Sequence, residues 1–135
     1  MSKFVPHVAG VLLGLLFLFA GLVFLLDLAP EQPAHPEGSA MAHFFAAFAP
    51  TGYLTFVKVC EVLGGLLVAI PRTRCLGLLL LGPIVANIVV FNFCVSGAGI
   101  ADPMVLGAVL LTVYLVIAER AAFLGLVRRP LPGAL

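Results

Sequence analysis

The chain has 135 residues, of which 63% are hydrophobic and only 10% charged, with a formal net charge of +1 and a mean hydropathy of +1.25. A water-soluble domain of this size carries about a quarter charged residues, so this composition excludes a water-facing globule, and the near-zero net charge gives no electrostatic reason to expect nucleic acid as a partner. The length allows one domain over residues 1–135 and no separate soluble module.

Taken in chain order, the pattern predicts an all-α membrane protein: a four-transmembrane-helix bundle with a short interfacial helix between spans 1 and 2. Span 1 covers about residues 8–28 and is uncharged until Asp27. That run is longer than the ~7–15 residues of a signal-peptide core, so it is read as a retained span. Its Gly10-Val11-Leu12-Leu13-Gly14 segment puts two glycines on one face, where another backbone can approach closely. Leu28 to Ser39 holds three prolines and two glutamates and reads as an exposed loop.

Ser39 can cap a helix over residues 40–48, ended by Pro50. Its nine residues, at ~1.5 Å each, cannot cross a ~30 Å core. It is therefore expected to lie at the outer interface, its Phe44, Phe45 and Phe48 face in the lipid boundary or over the bundle mouth. Span 2 covers 51–70, and the tight Pro71–Arg74 connection makes span 3, over 75–96, its antiparallel neighbour. Pro83 is expected to kink span 3, and Ser96 to Gly99 to form a loop. Span 4 starts at Pro103 after Asp102; its uncharged part is 16 residues, so the helix is expected to continue through Glu119 and Arg120, to about residue 120.

Orientation follows from the basic residues. Lys3, Arg72, Arg74, Arg120, Arg128 and Arg129 all fall at the N-terminus, the 2–3 turn or the C-terminal end, whereas the 1–2 and 3–4 connections carry Asp27, Glu31, Glu37 and Asp102. The positive-inside rule then places both termini on the cytoplasmic side, with an even number of spans.

The candidate site is intramembrane. Lys58 and Glu61 are ionisable residues inside span 2, costly there unless paired or wet. At i, i+3 they share a helix face and can neutralise one another. If the 2–3 hairpin is symmetric about Arg72 and Thr73, Asn87 lies level with Lys58, which predicts a buried polar cluster of Lys58, Glu61 and Asn87 that Thr112 or Tyr114 of span 4 could join. Asn92, five residues beyond Asn87, points elsewhere on span 3 and is a second contact or a head-group-level group. His43 on the short helix and Tyr53 at the start of span 2 can line an outer mouth or anchor the interface. Interhelical glue, worth roughly 0.6–2 kcal/mol, and a ligand or proton site both remain open for the cluster.

No catalytic motif and no metal-ligand spacing occurs, and Cys60, Cys75 and Cys94 form no C-x-x-C pair. The chain is not expected to be a complete enzyme by itself.

Several segments together resemble the DoxX family of small four-span bacterial membrane proteins. They are Thr51-Gly52-Tyr53-Leu54, the Lys58-Val59-Cys60-Glu61 run through Gly64-Gly65, and Leu81-Gly82-Pro83 followed by Asn87-Ile88 and Phe91. With the Phe44-Phe45 helix they cover about residues 41–95. The resemblance implies association with a membrane redox system, quinone- or thiol-linked, with a quinone or lipid as possible ligand and other membrane subunits as partners. It carries over Lys58, Glu61 and Asn87 as the polar group. This chain departs from the pattern with Asn92 where many relatives have histidine, and with apolar residues around Phe24 where many have lysine. Both departures remove titratable groups and argue against a proton-coupled quinone site. A non-catalytic accessory or structural subunit of a larger membrane complex is the alternative. A small transporter is a third reading, which four spans and one charged pair suit poorly.

Overall fold

The computed structural model describes residues 4–31 and 33–128; Lys3 and Arg129, used above for orientation, lie outside them. Among the described residues there are helices and no strand. In order they are α1 (Phe4–Leu25), α2 (Ala40–Phe48), α3 (Tyr53–Ala69), α4 (Arg74–Phe91), α5 (Pro103–Ala118) and α6 (Arg120–Val127).

Local chemistry explains most boundaries. α1 begins earlier than the predicted span because Pro6 fits a first helical turn, where its missing N–H goes unused. It ends as Asp27 takes a φ of 54° and the Leu28 N–H reaches back to the Val23 carbonyl at 2.9 Å. α2 has the predicted bounds: the Ser39 hydroxyl accepts from the Ala42 N–H at 3.2 Å. Pro50 ends α2 within a single 3₁₀ turn, Ala49–Thr51, and Gly52 at a φ of 78° swings the chain so that α3 departs at 81°. Only glycine takes that φ without strain.

Thr73 closes the α3–α4 hairpin by donating its hydroxyl to the Leu67 carbonyl at 2.9 Å. α4 carries Pro83 on an exposed face and runs through it to Phe91, so the expected kink does not interrupt the helix. The surplus length of this segment is taken up partly by a π turn, Asn92–Ser96, ahead of Gly97 at a φ of 71°. Asp102 caps α5, its Oδ1 accepting from the Met104 and Val105 N–H groups at 2.8 and 3.4 Å. The expected continuation of α5 through Glu119 and Arg120 is not what occurs. The chain bends by 64° at Glu119 and α6 leaves in a new direction, while the Glu119 side chain pairs with Arg74.

The four long helices pack in a closed ring, α1 against α3 and α5, and α4 against α3 and α5. The α1–α3 seam is the tightest. A β-carbon placed on Gly14 would stand 2.6 Å from the Gly65 carbonyl oxygen, and one on Gly21 2.6 Å from the Val62 side chain. The glycine spacing in α1 therefore serves close backbone approach, the interaction that holds helices together where solvent gives no hydrophobic drive. Leu13, Phe17, Val68, Leu81 and Leu115 fill the centre of the ring.

The outward faces are apolar too, with Phe19, Phe56, Leu76 and Leu110 all more than half exposed. Phe4–Leu25 and the 23 residues of Arg74–Ser96 are each long and apolar enough to cross a membrane; counting each bent pair, Ala40–Thr51 with Tyr53–Ala69 and Pro103–Ala118 with Arg120–Val127, as one span raises the number to four. One end of the ring gathers Arg72, Arg74, Glu119, Arg120 and Arg128, and the other Asp27, Glu31, Glu37 and Asp102. They are called below the basic and acidic ends.

Candidate functional site

Towards the acidic end, α3 presents Lys58 and Glu61 one turn apart on its inner face. The Lys58 ammonium donates to both carboxylate oxygens of Glu61, at 3.0 Å to Oε1 and 2.8 Å to Oε2. The Glu61 side chain is 3% exposed and that of Lys58 26%. Lys58 Nζ also stands 5.9 Å from the centroid of the Phe24 ring, within cation–π range. Gly64 and Gly65, just beyond the pair, let α1 and α4 close over it: a β-carbon on Gly64 would meet Leu81 at 2.6 Å. Gly65 likewise brings Leu18 of α1 against α3, and next to this tight packing Glu61 is buried while Lys58 stays partly exposed.

α2 lies across this end and turns its aromatic face inward, the second of the two placements expected for it. Phe44 stacks edge-on to Phe91 of α4 with centroids 4.9 Å apart, and Phe45 meets the same ring at 6.5 Å. His35 from the preceding loop stacks on Phe45 at 5.2 Å, and Phe48 packs on Tyr53 at 5.0 Å.

Two cavities at this end share Lys58, Glu61, Ile88 and Phe91 in their walls, and α2 lines one of them. One, of 260 Å³, reaches Asn87, Tyr53, Phe24, Phe44 and Phe45. The other, of 310 Å³, reaches Asn92, Phe17, Met104 and Ala108. Both offer apolar walls around one charged pair, the composition of a site for an amphipathic small molecule.

The sequence-predicted residues are distributed between these cavities. Asn87 and Asn92 point into different ones, as their five-residue separation implies. The expected hydrogen-bonded triad is not formed: Asn87 lies on an exposed part of α4 and its amide makes no hydrogen bond among the described residues. The Lys58 ammonium takes both carboxylate oxygens of Glu61, and Asn87 stands in the cavity wall without a hydrogen bond to either residue.

Asn92 is built into the π turn. Its Nδ2 donates to the Ile88 carbonyl at 2.8 Å, and Ser96 Oγ donates to its Oδ1 at 3.3 Å. Tyr53 lines the first cavity, as expected of a mouth residue, whereas His43 is exposed on α2 and in neither wall. Thr112 and Tyr114 do not join the cluster; their hydroxyls are buried without a partner among the described residues, and Tyr114 lines a groove near Phe4.

A second ion pair went unforeseen. Arg74 Nη1 donates to Glu119 Oε1 at 2.9 Å, joining the start of α4 to the end of α5. Arg74 had been taken only as a basic turn residue and Glu119 as part of a continuing helix. The available signal was that Glu119 is the one acid among the basic residues of that end. Among the described residues no three His, Cys, Asp or Glu side chains converge as a metal site would require.

No family model matches the chain, and no solved structure matches it. It is similar along most of its length to a protein of Bacillus subtilis (strain 168) described as "Uncharacterized protein YwoB", with 29% identity over 137 aligned residues that cover 96% of this chain and 86% of that protein.

Proposed function

We propose that this chain is a DoxX-like protein of the bacterial plasma membrane that crosses the bilayer four times with both termini cytoplasmic. In this reading it serves as a subunit of a quinone- or thiol-linked redox system and holds a quinone or lipid-like ligand between its helices. The membrane reading is supported by the outward apolar faces of all four long helices and by the segregation of charge between the two ends. α2, at 81° to α3, is suited to lie along the outer interface as a cover.

The observation that carries the ligand reading is the pair of cavities, 260 and 310 Å³, meeting at Lys58 and Glu61. A ligand carbonyl would accept from the lysine, which carries a third N–H beyond the two given to Glu61. Asn87, with donor and acceptor both unused, would hold the other side of the head group. The tail would follow the apolar walls towards Ile88 and Phe91.

A second reading, a non-catalytic accessory subunit, is favoured by the mutual satisfaction of Lys58 and Glu61, which suits a structural tie as well. Mild-detergent purification followed by solvent extraction separates the two. The first reading expects about one quinone or lipid-like molecule per chain, and its loss from a Glu61→Gln variant that still folds. An extract without such a molecule, with Glu61→Gln affecting thermal stability alone, sinks the ligand reading; co-purifying membrane subunits would then support the second.

A further inference from the structure

The basic end of the ring holds a second polar cavity, remote from Lys58 and Glu61, that continues into an apolar groove. Its key side chain is Arg74, 4% exposed. Arg74 Nε donates to the Val68 carbonyl at 3.3 Å and Nη1 to Glu119 at 2.9 Å, while Nη2 is buried with no acceptor among the described residues. Gly10 makes room for the guanidinium, since a β-carbon there would stand 2.8 Å from Nε and 3.2 Å from Nη2.

Beside this group a cavity of 600 Å³ opens between Pro6 and His7 of α1, Pro71 of the hairpin turn and Ala118 of α5. Phe4 closes one side of it and is also the first wall of a 330 Å³ groove along the α1–α5 seam, formed by Val8, Leu12, Leu111 and Tyr114. Four arginines, Arg72, Arg74, Arg120 and Arg128, face the single acid Glu119 at this end of the described chain.

We propose that this end binds one anionic phospholipid, with its phosphate beside Arg74 and His7 and one acyl chain in the groove between α1 and α5. The chemistry is specific in each half. Arg74 lines the cavity and keeps its Nη2 without an acceptor among the described residues, a donor suited to a phosphate oxygen, and Arg72, Arg120 and Arg128, which do not line the cavity, add positive charge at the same end against the one acid Glu119. The apolar groove beginning at the cavity wall selects a phosphate that carries a chain over a free one, and basic clusters at the cytoplasmic surface favour anionic head groups. The proposal rests on the membrane-spanning reading and is independent of any ligand at Lys58 and Glu61.

The chain has no Trp, so Leu15→Trp, on an exposed position of α1 one turn beyond Leu12, supplies a single fluorophore near the groove. The protein carrying it is reconstituted in phosphatidylcholine vesicles and titrated with brominated phosphatidylglycerol or brominated phosphatidylcholine. The anionic lipid should quench with a relative association constant at least about fivefold higher, as expected for one basic residue near the head groups. A Leu63→Trp reporter on the exposed face of α3 should show a ratio near one.

Arg74→Gln should abolish the preference. Val8→Phe, which plugs the groove without touching the ion pair, should do the same should Arg74→Gln fail to fold. Equal quenching by both lipids at Leu15→Trp, the same ratio at both reporters, or a preference that survives Val8→Phe overturns the site. Loss of the preference on adding inorganic phosphate overturns the lipid in favour of a free anion. Flotation of the vesicles is scored first: protein that does not float with them refutes the membrane reading itself, an outcome distinct from floating without preference.

Discussion

At the scale of single residues, two glycines of α4 five positions apart have opposite roles. A β-carbon on Gly77 would stand 2.5 Å from the Val68 amide nitrogen and 2.8 Å from its Cα, both backbone atoms of α3 that cannot step aside. A β-carbon on Gly82 would meet no atom within 4 Å apart from its own helix backbone and chain neighbours, but Pro83 follows it directly. Gly77→Ala is therefore expected to lower stability by about 1–3 kcal/mol through overpacking, and Gly82→Ala to change it by less than about 1 kcal/mol, its gain in helix propensity offset by crowding against the Pro83 ring. Thermal denaturation of the two variants in one detergent checks the contrast; a Gly77→Ala protein as stable as wild type would mean that α3 and α4 are not in that contact. The spacing of Gly10 and Gly14 indicated a close-packing face, but which helix it met was not legible, because that depends on partners about fifty residues away. Lys58 and Glu61 were legible as a pair, since their i, i+3 relation is local. Arg74 and Glu119, 45 residues apart, carried no local trace of their pairing.

At the scale of elements, α2 is held by aromatic rings and not by any ion pair among the described residues. Phe44 contacts Phe48 on its own helix at 4.9 Å and Phe91 on α4 at the same distance. A double-mutant cycle with Phe44→Ala and Phe91→Ala should give a coupling of about 0.5–1.5 kcal/mol, read as faster amide exchange of residues 40–48 with the remaining helices unchanged. No coupling would place α2 elsewhere, as an independent interfacial helix. The bounds of α2 were legible because Ser39 and Pro50 act within one turn, and Asp102 marked the start of α5 in the same way. The bend at Glu119 was not, since neither glycine nor proline stands there and the residue it pairs with, Arg74, is 45 positions away on the neighbouring helix. The cover that α2 forms over the cavity lined by Phe44 and Phe45 also depends on a long-range contact, at Phe91, that no spacing within residues 40–48 specifies.

For the whole molecule, composition settled the helical class and the apolar segments, and the short Pro71–Arg74 turn settled that α3 and α4 are neighbours. The ring order α1–α3–α4–α5 needed the structure, because apolar helices with featureless faces give no preference for one neighbour over another. The proposed membrane orientation is read from charge, and the basic and acidic ends of the ring supply positions at which to test it. Arg72 lies on the exposed hairpin turn of the basic end, and Glu37 in the exposed loop before α2 at the acidic end. With the native cysteines removed, Glu37→Cys and Arg72→Cys become single markers for opposite faces. In intact cells whose outer barrier has been opened, a membrane-impermeant maleimide should label Glu37→Cys, while Arg72→Cys should react only after the plasma membrane is permeabilised. The reverse pattern would invert the chain and move the aromatic cover to the cytoplasm. Labelling of both in intact cells would mean that α3 and α4 form a re-entrant hairpin and do not both cross, which removes the four-span arrangement and with it the buried setting of Lys58 and Glu61.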